Sequence, residues 1–312
     1  MSKALLITGA TGKQGGAVID ALIELKVDCT ILAVTRDASS AGAQKLASKG
    51  SNVKLVQGNL DDAPALFTAA AEAAKPSPIA GVYSVQISMG KGVTKDSEIA
   101  QGNALIDEAI KHNVAHFVYS SVERGGDEAS WSTPTPVPHF QSKQLIEQHL
   151  REATAPGTPG EAMAWTVLRP VAFMDNLAPG MPTKVFLTAL RDTMQGKRTQ
   201  WVAVHDIGRF AALAFANPDE WRNVAIGLAG EELSYDEMSE RFQRATGSPV
   251  PSSYWFFGSA LMYMVAELNT MITWFATDGY KADIAKCKQK NPQMLDLETW
   301  LRTKSDFETK SQ

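Results

Sequence analysis

Apolar runs of strand length alternate with segments of helical pattern through the first half of the chain. The runs with strand character are residues 4–8, 29–35, 53–57, 81–87, 116–121 and 165–170. The segments that predict helices are residues 17–23, 44–49, an alanine-rich stretch ending at 74, 97–112 and 139–150. This alternation predicts an α/β fold with a doubly wound parallel sheet, in which ligands bind beyond the carboxyl ends of the strands.

The alternation stops after Ala216, and the remaining sequence predicts a smaller, mainly helical C-terminal lobe. We therefore predict a larger domain over residues 1–158 and a lobe over 159–312 that holds a substrate or a partner. We expect the strand 164–169 and the helix 206–216 to return to the first domain. Asp206 is predicted to cap that helix, because aspartate is a favoured N-cap residue.

Aromatic and methionine side chains are concentrated in residues 253–275. They are Tyr254, Trp255, Phe256, Phe257, Tyr263, Trp274 and Phe275, together with Met262, Met264 and Met271. Such side chains at helical spacing are typical of a core, and they also suit the wall of a pocket for an apolar or aromatic substrate. Both interpretations stay open at this point.

The glycine-rich segment Gly9 to Gly16 lies between the first predicted strand and the first predicted helix. A pyrophosphate binds at such a turn because free backbone N–H groups and the positive end of the helix dipole face the anion. Gly9 permits the tight turn, Gly12 leaves room for the phosphates and Gly15 allows the helix to pack close to the strand. The segment predicts a dinucleotide-binding (Rossmann) domain, and the alternative is a tight turn that binds no ligand.

The end of the second strand indicates which dinucleotide is bound. An acidic residue there binds the ribose 2′-OH of NAD, whereas an arginine accommodates the 2′-phosphate of NADP. Arg36 occupies this position, Ser39 and Ser40 are near enough to donate to a phosphate, and Lys13 adds a positive charge. We therefore predict NADP rather than NAD. The carboxylate of Asp37 would repel the 2′-phosphate if it faced it. The alternative interpretation of Arg36 is a solvated charge in a loop.

Polar residues follow the next strands at the same predicted edge of the sheet. Asn59 and Leu60 come after the third strand, where the adenine would lie, while Asp61 or Asp62 is expected to cap the following helix. Gln86 ends the fourth strand and is predicted to face the cofactor. Ser121 ends the fifth strand and is a candidate to hold a substrate oxygen.

The composition excludes several classes of protein. Hydrophobic residues make up 44% and charged residues 21% of the chain, as in ordinary globular proteins. The net charge of −4 gives no electrostatic reason to expect direct nucleic-acid binding. Cys29 and Cys287 form no metal-binding spacing and no disulfide framework, so we expect no metal site and a reducing, cytoplasmic compartment.

Two further expectations concern membranes. The few residues before the first strand do not form a signal peptide, so we expect none. The apolar stretch from Tyr254 to Phe275 contains Glu267 and Asn269, and we therefore expect a buried or lid helix rather than a membrane span.

A long loop over residues 123–138 is rich in glycine and proline, as functional lids often are, and a clear helix follows it. His139 and Lys143 are four residues apart in that helix and therefore share one face. If this face looks at the cofactor, Lys143 can donate to the nicotinamide ribose.

Taken together, these motifs resemble the NmrA-like family of atypical short-chain dehydrogenases/reductases. The resemblance is carried by Gly9 to Gly16, Val34 to Arg36, Gln57 to Asp62, Val118 to Ser121, His139-Phe140 with Lys143, Leu168 to Pro170, Met174 to Asn176, and Val204 to Gly208. It covers about two thirds of the chain, and the last hundred or so residues match only loosely.

The resemblance implies a Rossmann fold, an NADP(H) cofactor and a reductase. The residues assigned to the cofactor, from the motifs and the resemblance together, are Gly9, Ala10, Thr11, Gly12, Lys13, Gln14, Gly15, Arg36, Ser39, Ser40, Asn59, Leu60, Gln86, Lys143, Phe173 and Asn176. Typical members of the superfamily pair a lysine with a tyrosine four residues earlier, which transfers the proton. Here Lys143 is preceded at that distance by His139, so Tyr-x-x-x-Lys chemistry cannot be assumed.

Two alternative functions are consistent with these residues and with the resemblance. The first is an NADPH-dependent reductase of a carbonyl, imine or activated double bond, with Lys143 as polar anchor, His139 or a water as proton donor and Ser121 at the substrate oxygen. An imidazole has a suitable pKa for this, although His139 also suits a role in contacting only cofactor or backbone. The second is a non-catalytic NADP(H) sensor or transcriptional co-regulator acting through a protein partner, which would place it in the nucleus as well. A homodimer also stays open.

Overall fold

The computed structural model describes residues 3–310 except 89, 91, 256–257 and 259–265. The strands are β1 Lys3–Ile7, β2 Cys29–Thr35, β3 Val53–Gln57, β4 Ile79–Ser84, β5 His116–Ser120, β6 Ala164–Pro170, β7 Ala172–Phe173, β8 Thr199–Val202, β9 Val224–Leu228 and β10 Glu231–Leu233. The helices are α1 Lys13–Glu24, α2 Ala41–Ala47, α3 Ala63–Ala74, α4 Lys95–Lys111, α5 Asp127–Ser132, α6 Pro138–Ala153, α7 Met181–Met194, α8 Val204–Ala216, α9 Tyr235–Thr246, α10 Ala266–Thr277, α11 Ile284–Lys290 and α12 Leu297–Thr303. A 3₁₀ turn covers Met174–Asn176.

The larger sheet has the strand order β3-β2-β1-β4-β5-β6-β9. Leu5 of β1 pairs in parallel with Ile31 on one side and with Gly81 on the other, so the strand order reverses at β1. The doubly wound parallel sheet predicted from the sequence is therefore confirmed. Its reversal point is where ligands bind in open α/β sheets.

The first strand–helix turn is tighter than the apolar pattern suggested. Helix α1 begins at Lys13, four residues before the predicted start, with Gly12 as its N-cap. A Cβ on Gly15 would lie 2.4 Å from the carbonyl oxygen of Gly9, which confirms that a glycine is required here for close packing of helix on strand.

The chain folds as two compact units. The first comprises residues 1–121, 141–169 and 207–226, and the second comprises 122–140, 170–206 and 227–312. The sequence assigned cofactor binding to residues 1–158 and substrate or partner binding to residues 159–312, and this assignment stays a prediction.

The second unit contains a small sheet in addition to its helices. Its strand order is β10-β8-β7, with β10 antiparallel and β7 parallel to β8. Helix α5 lies within the segment that was expected to be a loop, residues 123–138. The sequence missed it because its six residues carry no apolar periodicity.

The aromatic segment divides into buried and exposed parts. Trp274 and Phe275 are buried, and with Phe140 and Tyr280 they form a cluster whose ring centroids lie 5.0–6.4 Å apart. For these residues the core interpretation is confirmed. The exposed part is Tyr254 at 73% and Trp255 at 67%, while Phe256, Phe257, Met262, Tyr263 and Met264 lie outside the described residues.

The prediction that Asp206 caps a helix was wrong. Helix α8 starts two residues earlier, and Asp175 Oδ2 accepts the hydrogen bond from the backbone N–H of Val204 at 2.7 Å. Asp206 is buried, and its Oδ2 accepts from the N–H of Leu295 at 2.9 Å. Since Leu295 is distant in sequence, no local signal distinguishes this contact from a cap. By contrast, the cap of α3 is confirmed, because Asp62 accepts from the N–H of Ala65 at 3.0 Å.

Two features are absent from the part of the chain that the structure describes. No helix there is both long and apolar enough to cross a bilayer. No group of three or more His, Cys, Asp and Glu side chains there is arranged to hold a metal ion.

Candidate functional site

The turn after β1 has the geometry that a bound phosphate requires. Gly9 has a φ of +59°, and a Cβ there would lie 2.8 Å from Val85 Cγ1. Its carbonyl accepts from the N–H of Gly12 at 2.9 Å, which closes the turn. The first turn of α1, all of it described, contains no acidic residue, so its positive dipole end meets no carboxylate of its own.

A cavity of about 520 Å³ opens beside this turn, entirely within the first unit. This volume is in the range of pockets that hold small molecules and cofactors. The predicted cofactor residues that line it are Gly9, Thr11, Gly12, Arg36, Asn59 and Leu60. Its other lining residues are Val34, Thr35, Gly58, Asp61, Val85, Ile87, Gly92, Val93, Ser97 and Gln101.

Other residues assigned to the same turn have structural contacts. Ala10 is buried, and Gly15 is packed against the strand. The amide oxygen of Gln14 accepts from the hydroxyls of Tyr83 at 3.1 Å and Ser120 at 2.6 Å. The side chain of Gln14 therefore connects the start of α1 to β4 and β5 through hydrogen bonds. Lys13 is exposed at the start of the helix.

Arg36 lies at the end of β2 with an exposed side chain that lines the cavity. The carboxylate of Asp37 accepts from Ser39 twice, from the N–H at 2.8 Å and from Oγ at 2.6 Å. These hydrogen bonds lower the pKa of Asp37, so the carboxyl stays ionised. The Ser40 hydroxyl caps α2 and donates to the Asp37 carbonyl at 2.8 Å. Both serines predicted to face a phosphate are thus engaged within their own loop.

The lining of the cavity includes a carboxylate, Asp61, that the sequence assigned only to capping. Asp61 accepts from Gln101 Nε2 at 2.7 Å and from Asn59 Nδ2 at 2.8 Å. These bonds, followed by the nearby charge of Arg36, lower the pKa of Asp61. Gln101 was missed as a site residue because it reaches Asp61 from another helix, 40 positions along the chain.

Gln86 lies two residues beyond β4, which ends at Ser84 rather than at the predicted residue 87. Its Nε2 donates to Ser84 Oγ at 2.9 Å. Gln86 is only 5% exposed, and its amide oxygen has no hydrogen-bond partner among the described residues. A buried acceptor of this kind is costly unless a ligand or water donates to it.

Lys143 forms a buried ion pair that the sequence did not predict. Its Nζ lies 3.0 Å from Glu98 Oε1, and 8% of the lysine and 1% of the glutamate are exposed. Nζ also lies 6.0 Å from the centre of the Tyr119 ring. The lysine is therefore held by α4 and β5, and its positive charge is balanced inside the protein.

Ser121 belongs to a second buried network. Its hydroxyl donates to Glu147 Oε1, and Glu147 also accepts from Arg169, whose Nε lies at 3.2 Å and Nη2 at 2.7 Å. The side chains of Glu147 and Arg169 have no exposed surface. The role expected for Ser121 at a substrate oxygen stays a prediction.

His139 lies in the second unit, where its Nδ1 is 2.7 Å from Glu267 Oε1 and its ring packs edge-on against Phe140. The imidazole thus has a carboxylate partner 128 positions away, which no sequence pattern indicates. Phe173 and Asn176 are also in the second unit, in β7 and the 3₁₀ turn. Their contacts with a cofactor stay predictions.

The model of the NmrA-like family matches residues 1–301. The chain belongs to this family. The resemblance inferred from its motifs is confirmed, and the match extends well beyond the two thirds of the chain that those motifs cover.

Curated NmrA-like relatives are distant in sequence. The NmrA-like family domain-containing oxidoreductase hkm9 of Aspergillus hancockii is 25% identical over 261 residues, covering 79% of this chain and 73% of that protein. The NmrA-like family domain-containing protein DDB_G0286605 of Dictyostelium discoideum is 25% identical over 263 residues, covering 82% and 81%.

Solved structures share the fold of this NmrA-like chain. Triphenylmethane reductase of Citrobacter sp., complexed with NADP(H), superimposes with a TM-score of 0.68 at 18% identity, covering 96% of this chain and 98% of that one. The NADPH-dependent quinone oxidoreductase QOR2 of Escherichia coli, complexed with NADPH, gives 0.68 at 17% identity with the same coverage. At such low identity these likenesses establish the fold alone.

The structure of this NmrA-like protein thus separates its predicted site residues. The glycine turn, Arg36 and the Asn59–Leu60 pair share one cavity. Lys143 and Ser121 lie in two distinct buried networks, each built on a glutamate that the sequence analysis did not single out.

Proposed function

We propose that this protein is an NADP(H)-dependent oxidoreductase whose cofactor binds in the cavity of the first unit. The observation that carries the proposal is the lining of that cavity. An open helix N-terminus at Gly9 to Gly12 and the exposed guanidinium of Arg36 face the same space. Two anion-binding groups in one cavity suit a dinucleotide that carries both a pyrophosphate and a 2′-phosphate.

The residues present fit this cofactor chemically. The backbone at Gly9 to Gly12 would hold the pyrophosphate, because no side chain at Gly12 blocks its approach. Arg36 would hold the 2′-phosphate through its fork of donors, and Asn59 and Leu60 would border the adenine. Gln86 is not itself a lining residue, but it lies between the lining residues Val85 and Ile87, and its buried amide oxygen can accept an N–H from a ligand.

The proposed reaction is reduction of a carbonyl, imine or activated double bond. NADPH supplies a hydride when bound, and the protein supplies position and a proton. The curated relative from Aspergillus is named an oxidoreductase, and the two structural neighbours are named a triphenylmethane reductase and an NADPH-dependent quinone oxidoreductase. We infer an apolar or aromatic substrate from the names of these two structural neighbours.

Three residues are proposed to act in the reaction. Lys143 would anchor a hydroxyl or carbonyl oxygen through its N–H donors. His139, hydrogen-bonded to Glu267, would be the proton donor that replaces the missing tyrosine, because a carboxylate on one ring nitrogen orients the other for transfer. Ser121 would hold the substrate oxygen only if its hydroxyl turned away from Glu147.

A second candidate function is a non-catalytic NADP(H) sensor that changes partners with redox state. The observation that favours it is the exposure of Tyr254 and Trp255 in the second unit, since large exposed aromatic side chains are enriched at protein interfaces. The histidine in place of the tyrosine is also compatible with this role.

Calorimetric titration with NADPH, NADP⁺ and NADH tests the cofactor, and NADPH oxidation against a panel of quinones, aromatic ketones and imines tests the reaction. We expect tight binding of the two NADP forms and turnover with at least one class of substrate. Tight binding without any turnover would support the sensor instead. Failure to bind either NADP form would remove both functions.

A further inference from the structure

The carboxylate of Glu98 is the centre of a polar cluster next to the helix residues that line the proposed cofactor cavity. Glu98 is 1% exposed. The donors to it among the described residues are Ser88 Oγ at 3.0 Å, Ser142 Oγ at 2.5 Å and Lys143 Nζ at 3.0 Å. All of these residues belong to the first unit.

Helix α4 connects this cluster to the cavity. Ser97, the neighbour of Glu98, lines the cavity, as does Gln101 one turn further along. The helix also lies close to α6, which carries Lys143: a Cβ on Gly102 would be 2.5 Å from Ile146 Cδ1. This close approach allows a glutamate side chain to reach the lysine from the facing helix.

A buried ion pair is poor evidence of a purely stabilising role. Removing two charges from water costs several kcal/mol, so hydrophobic residues of similar size often serve stability as well or better. The two serine hydroxyls reduce this cost by occupying other acceptor positions of the carboxylate. The arrangement therefore fixes one ammonium group at one place with high precision.

The pair also determines what Lys143 can bind. An ammonium has three N–H donors, and the described residues show one acceptor, Glu98, for the lysine Nζ. The remaining donors belong to a pair with no net charge. Such a donor suits a neutral oxygen, a hydroxyl or carbonyl, better than an anion.

Resting on the proposed function, we propose that Glu98 is a positioning residue that acts through Lys143 at the nicotinamide half of the cofactor. The anion-binding groups, Arg36 and the glycine turn, follow β2 and β1. Lys143 follows β5, beyond the point where the strand order reverses, and the second mononucleotide of a dinucleotide binds on that side. Glu98 thus directs the lysine to a ribose hydroxyl or substrate carbonyl and prevents it from attracting an anion.

Two ligands separate this role from a structural one. NADPH occupies both halves of the site, whereas adenosine 2′,5′-bisphosphate occupies only the adenosine half. Affinities for both are measured calorimetrically for wild type, E98Q, K143M and the double variant E98Q/K143M. E108Q is the matched control, because Glu108 is a mostly buried glutamate of the same helix that pairs with another lysine, Lys111, at 2.6 Å.

We expect E98Q and K143M each to lower the affinity for NADPH about tenfold, because each removes the effect of one charge-assisted hydrogen bond. The double variant should lose about tenfold as well, rather than a hundredfold, because the two residues act as one unit. The bisphosphate should bind every variant within about twofold of wild type. E108Q should leave both affinities unchanged.

Several results would overturn the inference. Equal weakening of both ligands in E98Q would show a structural role, and additive losses in the double variant would show that Glu98 does not act through Lys143. If wild type binds neither ligand, the proposed function itself fails, which is distinct from a selective failure of E98Q. If E98Q does not fold, E98D is measured instead. Its shorter side chain keeps the negative charge but moves the carboxylate away from Lys143, and we expect it to weaken NADPH binding without weakening bisphosphate binding.

Discussion

Two groups of charged residues in the first unit differ in how their charges are accommodated. Around the cavity, Arg36 is exposed, and Asp37 and Asp61 are held ionised by hydrogen bonds from their own surroundings. In the interior, Lys143 is paired with Glu98, and Arg169 with Glu147. The first group keeps its charge accessible to a ligand, and the second cancels its charge internally.

The difference follows from the dielectric environment. A charge at the cavity wall is solvated before a ligand arrives, so it does not have to be neutralised by an opposite charge of the protein. A charge in the interior must be paired and hydrogen-bonded, because an isolated buried ion is strongly unfavourable. We therefore expect substitutions that break an interior pair to lower stability, with the Lys143–Glu98 pair also affecting NADPH binding as proposed above, and substitutions at the cavity wall to change binding alone.

The largest expected effect is on the buried Arg169–Glu147 pair. R169M leaves an uncompensated carboxylate in a site with no exposed surface, and it should lower the free energy of unfolding by about 3–5 kcal/mol. Urea denaturation measures this. The control is R198M, which breaks the exposed pair with Glu237 and should lower stability far less, because solvent screens an exposed pair. Similar losses in the two variants would contradict the distinction.

The second prediction concerns His116 at the start of β5. Burial lowers the pKa of His116 to about 4, and the nearby charges of Lys3 and Arg222 act in the same direction. Between pH 6.5 and 4 the unfolded chain binds a proton that the folded protein does not, so stability should fall as the pH decreases through this window. The loss should reach about 3 kcal/mol, and no further loss from His116 is expected below pH 4.

The measurement is urea denaturation of wild type and H116Q across this pH range. The difference between the two proteins isolates the histidine from the carboxyl groups that also titrate there. We expect the stability of H116Q to depend less steeply on pH. Parallel curves for the two proteins would show that His116 is not responsible.

At the cavity wall, R36A should lower the affinity for NADPH about thirtyfold. This corresponds to the loss of about 2 kcal/mol from one charge-assisted contact with the phosphate. NADH, which lacks the 2′-phosphate, should bind almost as before, and stability should be unchanged. K45A removes a positive charge that does not line the cavity and is the matched control. Equal losses of NADPH and NADH in R36A would remove the assignment of Arg36 to the 2′-phosphate.

The smallest expected effect is on Asp37, the neighbour of Arg36. Hydrogen bonds from Ser39 lower its pKa, so its carboxylate is ionised at neutral pH and opposes a phosphate nearby. D37N should tighten NADPH binding by about twofold to threefold, with little change for NADH. Titration at low and moderate salt tests this, because the gain should shrink as salt screens the charge. A weaker affinity would indicate that Asp37 mainly organises the loop.

Much of the fold was accessible from the sequence. The predicted bounds of β2 and β3 agree with the structure, and the cap at Asp62 and the close packing at Gly15 were foreseen. These features depend on alternation of apolar residues, on turn sterics and on capping within a few residues, all of which act locally. Errors occurred where a distant residue intervened, as for Asp206, whose carboxylate binds the backbone of Leu295.

The candidate site shows the same contrast between features that local sequence predicts and features that depend on distant residues. The glycine turn and Arg36 are recognisable because each lies directly after a strand, and parallel strands bring their carboxyl ends to one edge. The partner of Lys143 is 45 positions away, and the partner of His139 is 128 positions away. Which glutamate reaches which cation depends on how helices pack, and no periodicity in the chain encodes that choice.

The amino-acid sequence by itself determined the order of strands and helices from β1 to β5, the tight glycine turn after β1 and the cation at the end of β2. These are consequences of backbone sterics and hydrophobic periodicity over short stretches. Only the tertiary structure decided that Lys143 is neutralised by Glu98, that Ser121 is held by Glu147 and that His139 has a carboxylate partner. Burial makes each of these pairings necessary, and the packing of elements far apart in the chain selects the partner.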